Sequence, residues 1–142
     1  MELSIIVSAY NMAEDTRLEN CLNSLLEQTI SDYEIIAVDD ASTDGTSQIL
    51  LDFAALYPDV FKVIQSRTHK GRGGARNMGM KHARGKWLAF VESWDQVAPT
   101  MYEKLLAKAN DTGADLVGCG YCITSEDTDS QAESVQVLES SQ

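Results

Sequence analysis

The sequence predicts an α/β protein built on a mostly parallel sheet. Short, β-branched apolar runs alternate with stretches of helical periodicity along the chain. The runs are apolar at most positions, as strands buried on both faces are. Polar clusters follow the runs at their carboxyl ends, where open parallel sheets place their ligands. At 142 residues the chain is long enough for one domain with its own core.

Taken in order, "LSIIVSA" (Leu3 to Ala9) reads as the first strand. Leu18, Cys21, Leu22, Leu25 and Leu26 then recur at helical spacing and make one apolar stripe. "YEIIAV" (Tyr33 to Val38) is the second strand. Ile49, Leu50, Phe53, Ala54 and Tyr57 mark a second helix, stopped by Pro58, with Ser42, Thr43 and Asp44 offering N-cap oxygens before it. "VFKVIQ" (Val60 to Gln65) is the third strand, and a short helix from Ala75 to Ala83 follows, with Gly85 to end it. "KWLAFV" (Lys86 to Val91) is the fourth strand. Pro99 suits a first helical position; Met101, Tyr102, Leu105, Leu106 and Ala109 carry that helix and Gly113 ends it. "DLVGC" (Asp115 to Cys119) reads as a fifth strand, and from Thr124 the chain turns polar, acidic and serine-rich.

Composition excludes several functions. A net charge of −11 leaves no basic surplus to neutralise phosphates, which argues against nucleic-acid or anionic-membrane binding. The start "MELSIIVSAYNM" lacks the basic n-region of a signal peptide, and no apolar run approaches a membrane span; the odd cysteine count fits a reducing location, so a cytoplasmic one is expected. Three cysteines make no disulfide framework, and "CGYC" (Cys119 to Cys122) continues a strand pattern instead of opening a helix, so it reads as structural.

Four polar clusters should converge on one rim: "SAYN" after the first strand, "DDASTDGT" after the second, "SRTHKGRGGARN" after the third and "ESWD" after the fourth. Tyr10 offers an aromatic face to a flat base. Asp39 and Asp40 point to opposite sides of an extended backbone, so one can face the rim while the other braces a loop. "KGRGGARN" reads as a flexible glycine-rich loop whose Lys70, Arg72 and Arg76 can meet a diphosphate. It has neither the Walker spacing nor a GxGxxG after the first strand, which removes the main support for an ATPase or a dinucleotide binder. No GxSxG elbow occurs, and His69 and His82 lack metal-ligand neighbours, so both read as surface residues.

The order "SIIVSAYN", "LNSLLEQTISDYEIIAVDDASTDGT", "GGARNMGMKHARGKWLAFVESWD" and "VAPTMYEKL" resembles the N-terminal, nucleotide-binding half of family 2 glycosyltransferases with the GT-A fold, from Met1 to about Cys122. The resemblance implies a Rossmann-like three-layer sandwich and an inverting transferase of bacterial polysaccharide or cell-envelope synthesis. Its donor would be a nucleotide-sugar, UDP-linked, and its acceptor a glycan or lipid-linked sugar, with work peripheral to the inner membrane face. Carried over by position, Tyr10 would stack near the uracil, with Ser8 and Asn11 shaping that pocket. Asp40 would take the base N–H with Asp39 beside it, and Arg72 or Arg76 would lie near the base or diphosphate. Mg2+ or Mn2+ would sit at the family's acidic motif, which reads Asp-Ser-Asp-Asp; here Glu92 and Asp95 remain as metal ligands while Trp94 replaces the acid expected to touch the ion. Indole offers a hard cation no lone pair, so weakened metal binding is expected.

The resemblance also implies an acceptor-binding half that supplies the catalytic base. Residues 1–123 correspond to the donor domain, and residues 124–142 to an acidic tail or the start of that half. Nothing marks Glu126, Asp127, Asp129 or Glu133 as the base, so the catalytic residue is unassigned, and nucleotide binding without efficient transfer is expected of these residues alone. Surface normally covered by the acceptor half would favour a homo-oligomer. The alternative is a degenerate nucleotide-binding or assembly domain. A nucleotidyltransferase is disfavoured, because "SAYN" is not a glycine-rich basic loop.

Overall fold

A computed structural model gives the fold and describes residues 1–123. The element order is β1 (Leu3–Ala9), α1 (Arg17–Leu26), β2 (Tyr33–Asp39), α2 (Thr46–Leu56), β3 (Phe61–Gln65), α3 (Gly71–His82), β4 (Trp87–Glu92) and α4 (Met101–Thr112). The four strands form one sheet in the order β3-β2-β1-β4, and every pairing is parallel. β1 and β2 are the central strands and are buried along almost their whole length, which is why their sequences do not alternate.

Helices cover both faces. On one side α1, α2 and α4 pack Leu18, Leu22, Leu25, Leu50 and Tyr102 against Ile5, Val7, Ile35 and Ala37. On the other, α3 lies over Ile6, Ile36 and Val38 through Ala75. That approach is close. A Cβ on Gly79 would stand 2.5 Å from Ile6 Cγ2, so only glycine lets α3 settle onto β1 at this depth. Gly113 closes α4 in the left-handed conformation (φ 64°), as its place in the sequence predicts.

Two predicted elements differ. The glycine-rich "KGRGGARN" is not a loop: α3 begins at Gly71, four residues before the predicted Ala75, and Lys70 is its N-cap position. The cause is tertiary. Asp40 Oδ1 accepts the Lys70 N–H (2.8 Å) and Oδ2 the Gly71 N–H (2.9 Å), satisfying donors that a glycine-rich turn would leave to water. The predicted fifth strand, Asp115 to Cys119, does not form; the stretch is irregular and Leu116 is exposed. A strand needs a neighbour to take its backbone hydrogen bonds, and none is present there among the described residues. Smaller shifts are local. The α2 N-cap position is Gly45, with Asp44 Oδ1 accepting the Thr46 N–H (2.9 Å) beside it, and α3 ends at His82, which leaves Gly85 free to approach the β1 backbone.

Candidate functional site

The registers Ala9↔Asp39 and Ser8↔Glu92 bring the carboxyl ends of β1, β2 and β4 to one level. Above them lies an open cavity of about 180 Å³, lined by Ser8, Ala9, Tyr10, Asp40, His69, Arg72, Glu92, Ser93 and Trp94. Pockets that enclose a drug-sized ligand run to about 300 Å³ or more, so this one suits part of such a ligand, with the remainder on the open rim.

One side of the cavity is aromatic. Tyr10 packs on His69 with ring centroids 4.0 Å apart and a tilt of 33°. His69 Nδ1 lies 2.9 Å from Asp40 Oδ2, so the buried carboxylate holds the imidazole against the tyrosine while it caps α3. Asp39 is spent differently: its Oδ1 accepts the Ser42 N–H (3.1 Å) in the loop after β2. Asn11 latches the same loop, its N–H donating to Ser42 Oγ (3.0 Å) and its Oδ1 accepting the Thr43 N–H (2.8 Å). Asn11 does this at φ 50°, a conformation that asparagine tolerates better than most residues.

The other side is charged. Arg76 forms a hydrogen-bonded ion pair with Glu92 Oε1, and Arg72 Nε lies 3.4 Å from the same oxygen. Arg72 also sits over the Trp94 ring, 5.3 Å from its centroid, and Arg76 over Phe90 at 5.5 Å. Both arginines stand on the first turns of α3, so the Asp40 cap that forms this part of the helix also places its cations. Below the cluster, Cys21 Sγ–H donates to the Glu92 carbonyl (3.4 Å). Burial, with the Asp95 and Glu92 charges adding to it, pushes the Cys21 thiol up to about 12, which makes it inert.

Of the residues singled out by sequence, Ser8, Tyr10, Asp40, Arg72 and Glu92 line the cavity; Asn11, Asp39, Arg76 and Asp95 do not, Asn11 and Asp39 instead fixing the loop after β2 and Arg76 bracing Glu92. His69 lies at the surface, as the sequence predicts, but it also lines the cavity and engages Tyr10 and Asp40; its only sequence signal for that is a place just after β3 on the predicted rim. Trp94, which in the sequence stands where a metal-binding acid is expected, carries the Arg72 guanidinium, and nothing in the sequence shows that.

The donor set does not suit a divalent ion as it stands. Glu92 Oε1 is taken by two guanidinium groups, while Oε2 is buried with no hydrogen-bond partner and is shielded from anything entering the cavity. Trp94 contributes no donor, and Asp95 is exposed outside the lining. Among the described residues no group of three His, Cys, Asp or Glu side chains is placed to hold a metal. No described helix is long and apolar enough to cross a membrane.

Comparison with known proteins bears on this geometry. Residues 4–139 match the family described as Glycosyl transferase family 2. The protein named "Uncharacterized glycosyltransferase EpsJ" of Bacillus subtilis (strain 168) is 38% identical over 125 residues, covering 88% of this chain and 35% of that protein. The crystal structure of S. aureus TarS 1-349 in complex with UDP superposes with a TM-score of 0.73 at 32% identity, over 81% of this chain and 34% of that one. A mannosyltransferase from Pyrobaculum calidifontis, in complex with GDP-Man and Mn2+, gives a TM-score of 0.68 at 27% identity, over 87% of this chain and 36% of its own. The chain thus spans about a third of the length of the curated relatives it matches.

Proposed function

The chain belongs to glycosyl transferase family 2, and on that premise we propose that it is the donor-binding part of a glycosyltransferase. It takes a nucleotide-sugar, UDP-linked, at the carboxyl rim of its sheet, for transfer to a glycan or lipid-linked acceptor in polysaccharide assembly. The observation that carries the reading is one cavity with an aromatic wall, Tyr10 on His69, facing a cationic one, Arg72 on Trp94. A uridine diphosphate has the matching halves: a flat base and an anionic tail. The UDP bound by the TarS neighbour supports the choice of nucleotide.

Within this reading the base lies against Tyr10. Asp40 keeps room to accept a base N–H, because a carboxylate offers about four lone-pair sites and three are used, by the Lys70 and Gly71 N–H groups and His69. Ser8 and the β1 carboxyl end form the floor. Mn2+ or Mg2+ would supply Lewis-acid help to the departing diphosphate where a family member holds it, but the residues here do not fit such an ion. The proposed domain boundary keeps residues 1–123 as the donor domain, while residues 124–142, with Glu126, Asp127, Asp129 and Glu133, lie outside the described residues. The catalytic base belongs to an acceptor-binding region.

Calorimetric titration of UDP and of a UDP-sugar into the purified chain tests the reading. Saturable, one-to-one binding is expected with either EDTA or MnCl2 present. Absence of binding under both conditions would overturn it and favour an assembly domain.

A further inference from the structure

We propose that the diphosphate of the donor is held by Arg72, with Arg76 and Trp94 as its supports, and that this chain therefore binds its nucleotide without a divalent ion. The inference rests on the donor reading above and concerns which groups supply the positive charge.

Arg76 carries the direct hydrogen bond to Glu92 Oε1 and so meets most of that carboxylate's charge. Arg72 meets the same oxygen at the longer ion-pair distance of 3.4 Å from Nε, against the direct hydrogen bond of Arg76. At this wall two guanidinium groups meet the one Glu92 carboxylate, while Asp40, the other carboxylate lining the cavity, is engaged by the Lys70 and Gly71 N–H groups and His69. The Arg72 guanidinium carbon lies over the Trp94 ring, 5.3 Å from its centroid, a cation–π contact that favours this placement of the side chain before a ligand arrives. A guanidinium fork matches two phosphate oxygens at once. Arg72 is about half exposed, and so open to a ligand in the cavity it lines.

The same arrangement repels a divalent ion. Such an ion would approach two guanidinium groups, with the one carboxylate oxygen they leave free buried away from it. Releasing Glu92 for a metal would break both ion pairs and strand Arg76 beside Phe90. The neighbour solved with GDP-Man and Mn2+ shares the fold, so it is the side chains around Glu92, and not the fold, that disfavour the ion here.

Four titrations into the 142-residue chain decide it: uridine and UDP, each with EDTA and with MnCl2. With EDTA, UDP is expected to bind about tenfold or more tighter than uridine, one charge-assisted fork being worth that much. MnCl2 should change the UDP affinity by less than about threefold. In Arg72→Ala, UDP should fall to the uridine level while uridine binding stays unchanged; the uridine value also reports that the site is still folded. In Trp94→Asp, which removes the plate and adds an acid, UDP binding in EDTA should weaken and become Mn2+-dependent. UDP binding that needs Mn2+ in the unaltered chain, or a UDP-to-uridine ratio untouched by Arg72→Ala, would overturn this inference and leave the donor reading standing. Failure of both ligands in every condition would overturn both.

Discussion

Tyr10 is an exposed tyrosine with one face spent on His69, and it makes few contacts with the core. Its replacement should therefore act on ligand and not on fold. Tyr10→Ala is expected to weaken UDP by about tenfold, the scale of one aromatic–base stack, with the thermal midpoint unchanged; calorimetry with a parallel melt checks both. Glu34 is the opposite case. Burial would raise its carboxyl, but the Lys62 ammonium (2.8 Å), the Arg84 N–H (2.8 Å) and the Ser4 hydroxyl (2.7 Å) outweigh that and lower it from 4.5 to about 2. The unfolded chain therefore binds a proton that the folded chain refuses between those values. The stability it contributes is whole above pH ~4.5 and is lost as pH falls through about 2. Glu34→Gln should cost about 2 kcal/mol at neutral pH, since its cationic partners are half exposed and can rehydrate. The variant should also lose stability less steeply below pH ~4.5. Urea midpoints at stepped pH read this out, and parallel slopes would refute it.

α3 is the element on which the site depends, and it illustrates how a weak local sequence is rescued. Its first turn holds Gly71, Gly73 and Gly74, which cost backbone entropy and gave no helical signal. The carboxylate of Asp40, about thirty residues away in sequence, supplies the cap. Asp40→Ala should remove about 1 kcal/mol, loosen Arg72, and so weaken UDP more than uridine. The glycines of this helix also divide by role. Gly73 has open space around its would-be Cβ, so Gly73→Ala is expected to stabilise by about 0.5–1 kcal/mol. Gly79 faces Ile6 at 2.5 Å and Val38 at 3.4 Å, so the same change there should cost about 1–3 kcal/mol through overpacking. Denaturant melts of the two variants should move in opposite directions.

Across the whole molecule the two faces of the sheet are unequally covered. Three helices close one side, whereas α3 alone serves the other and meets β4 through its Arg72 and Arg76 side chains. Leu88 and Phe90 on β4 and Met80 on α3 are exposed there, and the outer edge of β4 pairs with no described strand. Self-association at high concentration is the expected consequence. The net charge of −11 opposes it at low salt, so the effect should grow as salt screens that repulsion. Sedimentation velocity should show mass rising with protein concentration at moderate salt, and Leu88→Glu should suppress it. A clean monomer throughout would remove the idea.

The α/β class, the four strands, the four helices and the rim on which polar residues gather were all legible in the sequence. Periodicity and the carboxyl-end rule depend only on local residue order and on the parallel sheet that this order implies. The strand at Asp115 to Cys119 misled because apolar, β-prone residues make a strand only when a partner takes their hydrogen bonds, and no local pattern reports a partner. Residue types also named the candidates Tyr10, Asp40, Arg72 and Glu92, but not their division of labour. That Asp40 caps α3, that His69 backs Tyr10, and that Trp94 carries Arg72 are facts of contact between segments tens of residues apart. Tertiary packing alone decided them, because a carboxylate, an imidazole or an indole gets its role from whichever group the fold sets a few ångströms away.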